Sequence, residues 1–361
     1  MTVRIADVKR AHLEKLSDYA QALYRHPELR NLFLELTLAC NERCFHCGSS
    51  CASAMDGELT CEEWKRVIDE AYEDFGTSRV QLCVTGGEPL LRRDFFEIMG
   101  HARDRGFRWG MTSNATLITP EVARRLAEVG MSTISVSIDG LRDTHDRLRG
   151  LAGGYDRAMA GVHNLIDVGA FRVVQVTTVV NHANIGELDE LFRIMDGIDI
   201  DSWRVIGIEP IGRALLRPDL MLTREDQVRL LDFIRAKRSQ GYPLEYGCSH
   251  YLGLEYEAEV REWYWLCGAG LHVASVMANG DIGACLDIER RPELIQGNVR
   301  RDHLRDVWEN RFEVFRRDLS DSSEVCRACE HARYCRGGAH HTWDHDESRQ
   351  RLCFKGTLFA D

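Results

Sequence analysis

Thirteen cysteines in two separated groups constrain this 361-residue chain more than any other feature. Cys40, Cys44, Cys47 and Cys51 lie together near the start, followed by Cys61 and Cys83. After a long thiol-free stretch come Cys248, Cys267 and Cys285, then Cys326, Cys329, Cys335 and Cys353. An odd number of thiols at short, grouped spacings makes a poor disulfide framework and a good supply of metal ligands, which points to a reducing, cytoplasmic setting. No apolar run approaches the roughly 20 residues of a membrane span, and no charged-then-apolar leader opens the sequence, so neither insertion nor secretion is expected. The net charge of −11 argues against a surface that neutralises nucleic-acid phosphates, and it would suit a basic peptide.

Between the two groups the patterning alternates strand with helix. Residues 32–38, 79–84, 107–111, 133–138, 171–180 and 203–208 read as strands, and 62–74, 94–105, 121–129, 155–168 and 187–195 as helices. Thr60 and Glu63 form a predicted capping box, and Pro120 and Gly130 bracket the third helix. Six such repeats predict a parallel α/β sheet. We read it as a partial (β/α)6 barrel with its chemistry at the C-terminal strand ends, although a doubly wound sheet would show the same alternation. Residues 224–240 form a further helix capped by Thr223. The tyrosine- and tryptophan-rich stretch 241–266 reads as a bridge, and the short elements from Cys267 onward need metal to hold their shape.

The loop leaving the first strand carries Cys40, Cys44 and Cys47 in a C-x3-C-x2-C pattern. Three thiolates on one loop can hold three irons of a [4Fe-4S] cube and leave the fourth without a protein ligand. Tetrahedral zinc would need a fourth ligand, which His46 or Cys51 could supply. The second strand runs into Thr85-Gly86-Gly87-Glu88-Pro89, a turn that permits close backbone approach to a ligand and presents one carboxylate.

These two motifs, in this order, resemble the radical S-adenosylmethionine (SAM) superfamily. The resemblance implies that SAM chelates the open iron and is cleaved by one electron to a hydrogen-abstracting 5′-deoxyadenosyl radical. It also implies that Gly86, Gly87 and Glu88 meet the SAM amino group and that Phe45 packs near adenine. Ser137 and Asp139 are expected to contact ribose, Ser113 and Asn114 to face the cavity, and Arg149 to meet the methionine carboxylate, unless it is a solvated surface arginine. The C-terminal series resembles the SPASM extension of radical SAM peptide-modifying enzymes, matching six of its seven thiols. The resemblance implies one auxiliary cluster on Cys326, Cys329, Cys335 and Cys353. A second would keep Cys267 and Cys285, with Cys248 as the upstream thiol. Its remaining ligand is missing, because Ala339 stands where the pattern has cysteine. The favoured expectation is a three-cysteine cluster with an open fourth site; the alternatives are recruitment of His340 or His341, a [2Fe-2S] unit, or no cluster. Asp287 lies near where sulfatase-maturing relatives keep a catalytic carboxylate and could take a proton from an oxidised substrate.

The expected organisation is an N-terminal helical extension (1–30), the barrel (31–223), a helix and aromatic bridge (224–266) and an auxiliary-cluster domain (267–361). The expected activity is hydrogen abstraction from a ribosomally made precursor peptide, leading to a crosslink or an oxidised residue. A flavodoxin- or ferredoxin-type donor would supply electrons. The roughly thirty residues before the first strand are too few for a full leader-peptide recognition domain, so a peptide is expected to be recognised by the barrel mouth, by the aromatic bridge or by a separate leader-binding protein. A sulfatase residue, a tetrapyrrole or a sugar are the alternative substrates, and an iron–sulfur electron carrier is the non-enzymatic alternative.

Overall fold

The computed structural model describes residues 5–247 and 250–359. An N-terminal helix, α1 (Ile5–Arg25), precedes six strands: β1 (Asn31–Glu35), β2 (Gln81–Thr85), β3 (Trp109–Ser113), β4 (Met131–Ser137), β5 (Val173–Val180) and β6 (Ser202–Gly207). They pair in parallel in the order 1-2-3-4-5-6. A doubly wound sheet would reverse direction at a switch point. An unbroken order with right-handed crossovers instead places every connecting helix on one face and curls the sheet, so the structure decides for the partial barrel.

The connecting helices are α2 (Cys61–Phe75), α3 (Phe95–Asp104), α4 (Pro120–Glu128), α5 (Arg142–Arg149), α6 (Gly154–Val168) and α7 (Leu188–Asp196). The expected capping box forms at α2: Thr60 accepts from the Glu63 amide while the Glu63 carboxylate accepts from the Thr60 amide. Helix α5 was not anticipated. Its sequence, RDTHDRLR, is polar except for Leu148 and buries little apolar surface, so it carries no hydrophobic period.

Strand alternation separates two environments. Ile134, Val136, Val174, Val176, Trp203 and Val205 are buried in the main hydrophobic core. The opposite face mixes hydroxyl and aliphatic side chains: Ser135 and Thr177 share a hydrogen bond at 2.6 Å, and Thr85, Ser137, Val179 and Ile206 line an open cavity. The barrel interior is therefore a binding space, unlike the filled interior of a complete eight-stranded barrel.

After β6, helix α8 (Arg224–Ser239) leads to a short strand, β7 (Leu244–Tyr246), that extends this edge in parallel. The C-terminal segment extends the opposite edge. Strand β8 (Val273–Val276) pairs in parallel with β1, and β9 (Asp281–Gly283) and β10 (Gly297–Asn298) follow antiparallel. The cysteine-rich segment is thus welded to the barrel sheet and does not hang from it. Glu35 reinforces the joint, pairing with Arg290 and accepting from the Ala278 amide at 3.1 Å. Helix α1 reaches the far end of the same segment, where Ser17 bonds the Arg333 carbonyl at 3.1 Å and Arg336 donates to Ser17. No helix among the described residues is long and apolar enough to cross a membrane.

Candidate functional site

Residues from both halves of the chain border one cavity of about 340 Å³. Cys40, Cys44 and Cys47 line it together with Gly86, Gly87, Ser113, Asn114, Ser137 and Arg149. Cys285, Asp287 and His341 close it from the C-terminal segment.

The cysteine loop is held by backbone and by two arginines. Cys40 and Leu38 exchange bonds with Ala52 across the neck of the loop. Arg213, beyond β6, donates to the carbonyls of Cys44 at 2.7 Å and Cys51 at 2.8 Å, while its own amide donates to the Cys47 carbonyl. Gly212 makes this approach possible, since a Cβ there would lie 2.2 Å from the Gly48 carbonyl oxygen. The second arginine, Arg149, ends α5. Its Nε donates to Glu42 at 2.6 Å, its Nη1 pairs with Asp139, and its carbonyl accepts from the Arg43 amide. Glu42 in turn accepts from the Cys44 thiol at 3.6 Å, and Asp139 also meets His46 at 3.0 Å. Burial alone would raise the Asp139 carboxyl, but His46 and Arg149 hold it far below the usual carboxylate range.

The Thr85–Pro89 turn presses on the same loop. A Cβ at Gly87 would lie 2.0 Å from the Ala39 carbonyl oxygen, so only glycine permits the Glu88 amide to reach that carbonyl at 2.8 Å. The glycines thus serve the contact between turn and cysteine loop as well as bordering the cavity.

Several residues expected to meet the ligand have protein partners in this geometry. Glu88 does not line the cavity: its fully buried carboxylate accepts from the Ser113 hydroxyl, the Asn114 amide at 2.9 Å and the Leu90 amide at 3.3 Å. It ties β2 to the end of β3, and the Ser113 hydroxyl is committed to it. Asp139 is likewise buried and pairs with Arg149, His46 and the Val179 amide. Phe45 packs on the Leu148–Ile208–Leu220 cluster beneath the Arg217 guanidinium, outside the cavity lining. Arg149 is no solvated surface arginine, and two of its nitrogens already serve buried carboxylates. The Asn114 side chain borders the cavity while donating to Asn41 at 2.8 Å.

Burial pushes the Glu88 carboxyl from its ordinary 4.5 up to about 7. The folded state therefore binds this proton more tightly than the unfolded chain does. The resulting stabilisation is full below pH 4.5 and is lost as pH rises through about 7. Glu88→Gln is expected to flatten this part of the stability profile, read as urea midpoints from pH 5 to 8; an unchanged slope would contradict the assignment.

Cys51, which matched no motif, lies beside the trio: its amide approaches the Cys47 sulfur at 3.4 Å, and its thiol hydrogen-bonds Cys47 and draws that group's pKa down. Cys83 lies within β2 facing Asn31, and Cys61 at the start of α2 faces Glu97. In the C-terminal segment, Cys326, Cys329, Cys335 and Cys353 are near neighbours. Burial first, and then the three other sulfurs of the set, push the Cys335 thiol up. Cys248 lies outside the described residues. Cys267 and Cys285 open onto different cavities, the first beside His340 and the second beside the cysteine loop. His340 stacks edge-on against Phe315, so of the two adjacent histidines it is His341 that borders the main cavity. Asp287 stands over the loop, its Oδ1 2.9 Å from where a Gly48 Cβ would be. Burial raises its pKa, with Glu209 adding to the shift and His341 opposing it.

Comparison with known proteins agrees with this arrangement. Residues 34–195 match the family model for the radical SAM superfamily, and residues 267–330 that for an iron–sulfur cluster-binding domain, SPASM. An AdoMet-dependent heme synthase of Methanosarcina barkeri is 32% identical over 322 residues, covering 84% of this chain and 89% of the relative. The chain belongs to the radical SAM superfamily. This radical SAM enzyme is also 33% identical to mycofactocin maturase MftC of Mycolicibacterium smegmatis, over 84% of its own length and 76% of the relative's. Among solved structures it shares the fold of Streptococcus suis SuiB bound to S-adenosylmethionine, with a TM-score of 0.73 at 19% identity, covering 95% of this chain and 80% of that one. It also shares that of anSMEcpe with bound AdoMet, with a TM-score of 0.70 at 18% identity, covering 90% and 92%. A radical SAM domain entails a [4Fe-4S] cluster with SAM, and the SPASM domain entails auxiliary iron–sulfur binding. The residues present fit the first requirement: three thiols of one pinned loop border a single cavity, and the polar strand ends beside them leave room for a ligand.

Local pattern could not have found every residue here. Arg213 is far from the cysteine loop in sequence and Glu42 looks like an ordinary loop residue, while His46 and His341, candidate ligands in the sequence, gain their Asp139 and Glu209 partners only in the fold. Glu209 was findable, because it stands just past the C-terminal end of β6, where chemistry gathers in this kind of sheet.

Proposed function

We propose that this radical SAM/SPASM enzyme removes a hydrogen atom from a ribosomally synthesised peptide and leaves a crosslink or an oxidised residue. The observation that carries this reading is the shared cavity, bordered on one side by the cysteine loop and on the other by Asp287 and Cys285. Bound there, an iron–sulfur cluster with SAM supplies one-electron cleavage and a hydrogen-abstracting radical. Cys40, Cys44 and Cys47 hold the cluster, while Gly86, Gly87, Asn114 and Ser137 shape the SAM pocket. Arg149 fixes the loop by neutralising Glu42 and Asp139. Asp287, with its raised pKa, accepts the proton that a substrate releases on oxidation. Cys326, Cys329, Cys335 and Cys353 hold an auxiliary cluster, and residues 267–361 act as one cluster-binding unit. A flavodoxin- or ferredoxin-type protein supplies electrons, and a separate protein presents the leader peptide.

A peptide substrate is supported by the fold, since SuiB has been crystallised with precursor peptide SuiA and anSMEcpe with a Cp18Cys peptide. The similarity to heme synthases, and to the Fe-coproporphyrin III synthase of Methanosarcina barkeri at 32% identity over 58% of this chain, favours a tetrapyrrole as a second reading. One experiment separates them. The anaerobically reconstituted enzyme is given SAM, a reductant and either a candidate precursor peptide, sought as a short reading frame beside its gene, or Fe-coproporphyrin III. The proposal expects faster 5′-deoxyadenosine release and hydrogen loss by mass spectrometry with the peptide alone; conversion of the tetrapyrrole and not the peptide would overturn it.

A further inference from the structure

Ala339 occupies the position where a cluster-binding cysteine is missing, and the structure shows what lies near it. The Ala339 amide points at the His250 Nδ1 at 3.5 Å, the outer limit of a hydrogen bond. His341 follows two residues later, and Glu209 extends from the end of β6 between the two histidines. The Glu209 carboxylate meets His341 Nε2 at 2.7 Å and His250 Nε2 at 3.6 Å. One donor atom from each of the three side chains lies within 4.8 Å of the other two.

We propose that Glu209, His250 and His341 form a mononuclear site for a divalent first-row transition metal. Two imidazoles and one carboxylate are the donor set of open zinc and non-haem iron(II) sites, which keep coordination positions for a ligand. Glu209 stands two residues beyond β6 of the barrel sheet, and the turn holding His341 is fastened by the Gln350 side chain donating to the Ala339 carbonyl at 2.8 Å. Thr342 bonds His250 Nε2 at 3.0 Å and also donates to Gln350 at 2.7 Å. The hydroxyl holds the His250 ring in place, and metal binding exchanges the His250–Thr342 contact for a coordinate bond.

The site does not stand apart from the main cavity. Glu209 and His341 both border it, together with Asp287 and Cys285. The open positions of the ion therefore face the space where substrate meets the cysteine loop, and the class of ligand they take is a carboxylate or another oxygen anion. An oxygen-anchored substrate would be held at a fixed distance from the radical source, a role for which an electron-transferring cluster with four protein ligands has no free position.

Zinc serves as the probe, since it is redox-silent and absent from iron–sulfur reconstitution. Reconstituted full-length enzyme is incubated with Zn2+, desalted, and analysed for zinc, iron and sulfide, then by zinc K-edge absorption spectroscopy. The expected result is one zinc per chain with only nitrogen and oxygen neighbours at about 2.0–2.1 Å. His250→Ala and His341→Ala are expected to lose that zinc while keeping the parental iron and sulfide. Absence of retained zinc, sulfur neighbours at about 2.3 Å, or unchanged binding in both soluble variants would overturn the site. The spectrum of the parental enzyme decides the matter even where a variant does not fold. Because this readout uses neither SAM nor substrate, it succeeds or fails independently of the peptide assignment.

Discussion

Cys44→Ala is expected to bring 5′-deoxyadenosine release down to background while the C-terminal auxiliary set still binds iron. The Cys44 sulfur is one of three on the loop, and burial pushes its pKa up to about 12, so in the metal-free protein it is a protonated thiol. Metal binding must displace that proton, and Glu42, which already accepts from the thiol at 3.6 Å, is placed to assist its removal. Under the proposed coordination, alanine removes one of three ligands and leaves two. Cys51→Ala is the matched control. Its sulfur lies beside Cys47 but outside the C-x3-C-x2-C pattern, so the variant is expected to keep cleaving SAM at a rate near the parental one. High-performance liquid chromatography of the released nucleoside under reducing, oxygen-free conditions reads both variants. Equal losses at Cys44 and Cys51 would mean that the loop supplies four ligands.

Arg149→Met should produce the largest loss of stability available from a single residue near the site. The change strips a guanidinium from two carboxylates, Glu42 and Asp139, both almost wholly inaccessible to water. Removing one member of a buried charge set while leaving its partners costs about 3–5 kcal/mol, because the remaining charges are no longer compensated. Lysine keeps the charge but cannot reach both carboxylates through separate nitrogens, so Arg149→Lys should fall between methionine and the parent. Urea unfolding at neutral pH measures the series. A methionine variant as stable as the parent would show that Arg149 is not the keystone of the loop. The cysteine loop should also load less iron in that variant, since Arg43 and Phe45 bond to the carbonyls of Arg149 and Leu148 on α5.

The parts of this structure that were readable beforehand share a physical property: their signal is local. Thr60 and Glu63 announce the start of α2 within four residues, and the apolar strands alternate with amphipathic helices strongly enough to reveal the sheet. Cys40, Cys44 and Cys47 declare themselves by spacing on one loop. Strand order was not readable, because a switch point leaves no mark in periodicity. Strand β8 was missed as a partner of β1 because four residues, three of them buried in succession, carry no alternation to mark an edge, and the two strands are more than two hundred residues apart. Glu88 and Asp139 were assigned outward roles from their motifs. Carboxylates at strand ends serve equally well as buried acceptors, and only the positions of Ser113, Asn114, His46 and Arg149 decide between the two. The Glu209–His250–His341 group joins three distant segments and exists only once the chain has folded.

The most direct test of the account concerns the coordination of the cluster on the N-terminal loop. Electron paramagnetic resonance of the reduced, reconstituted enzyme should be recorded with and without SAM labelled with 15N at its amino group. The account predicts that SAM alters the cluster spectrum and that a 15N coupling appears, and that both effects vanish in Cys44→Ala. A fully assembled cluster on Cys40, Cys44 and Cys47 whose spectrum ignores SAM, with no nitrogen coupling, would contradict it.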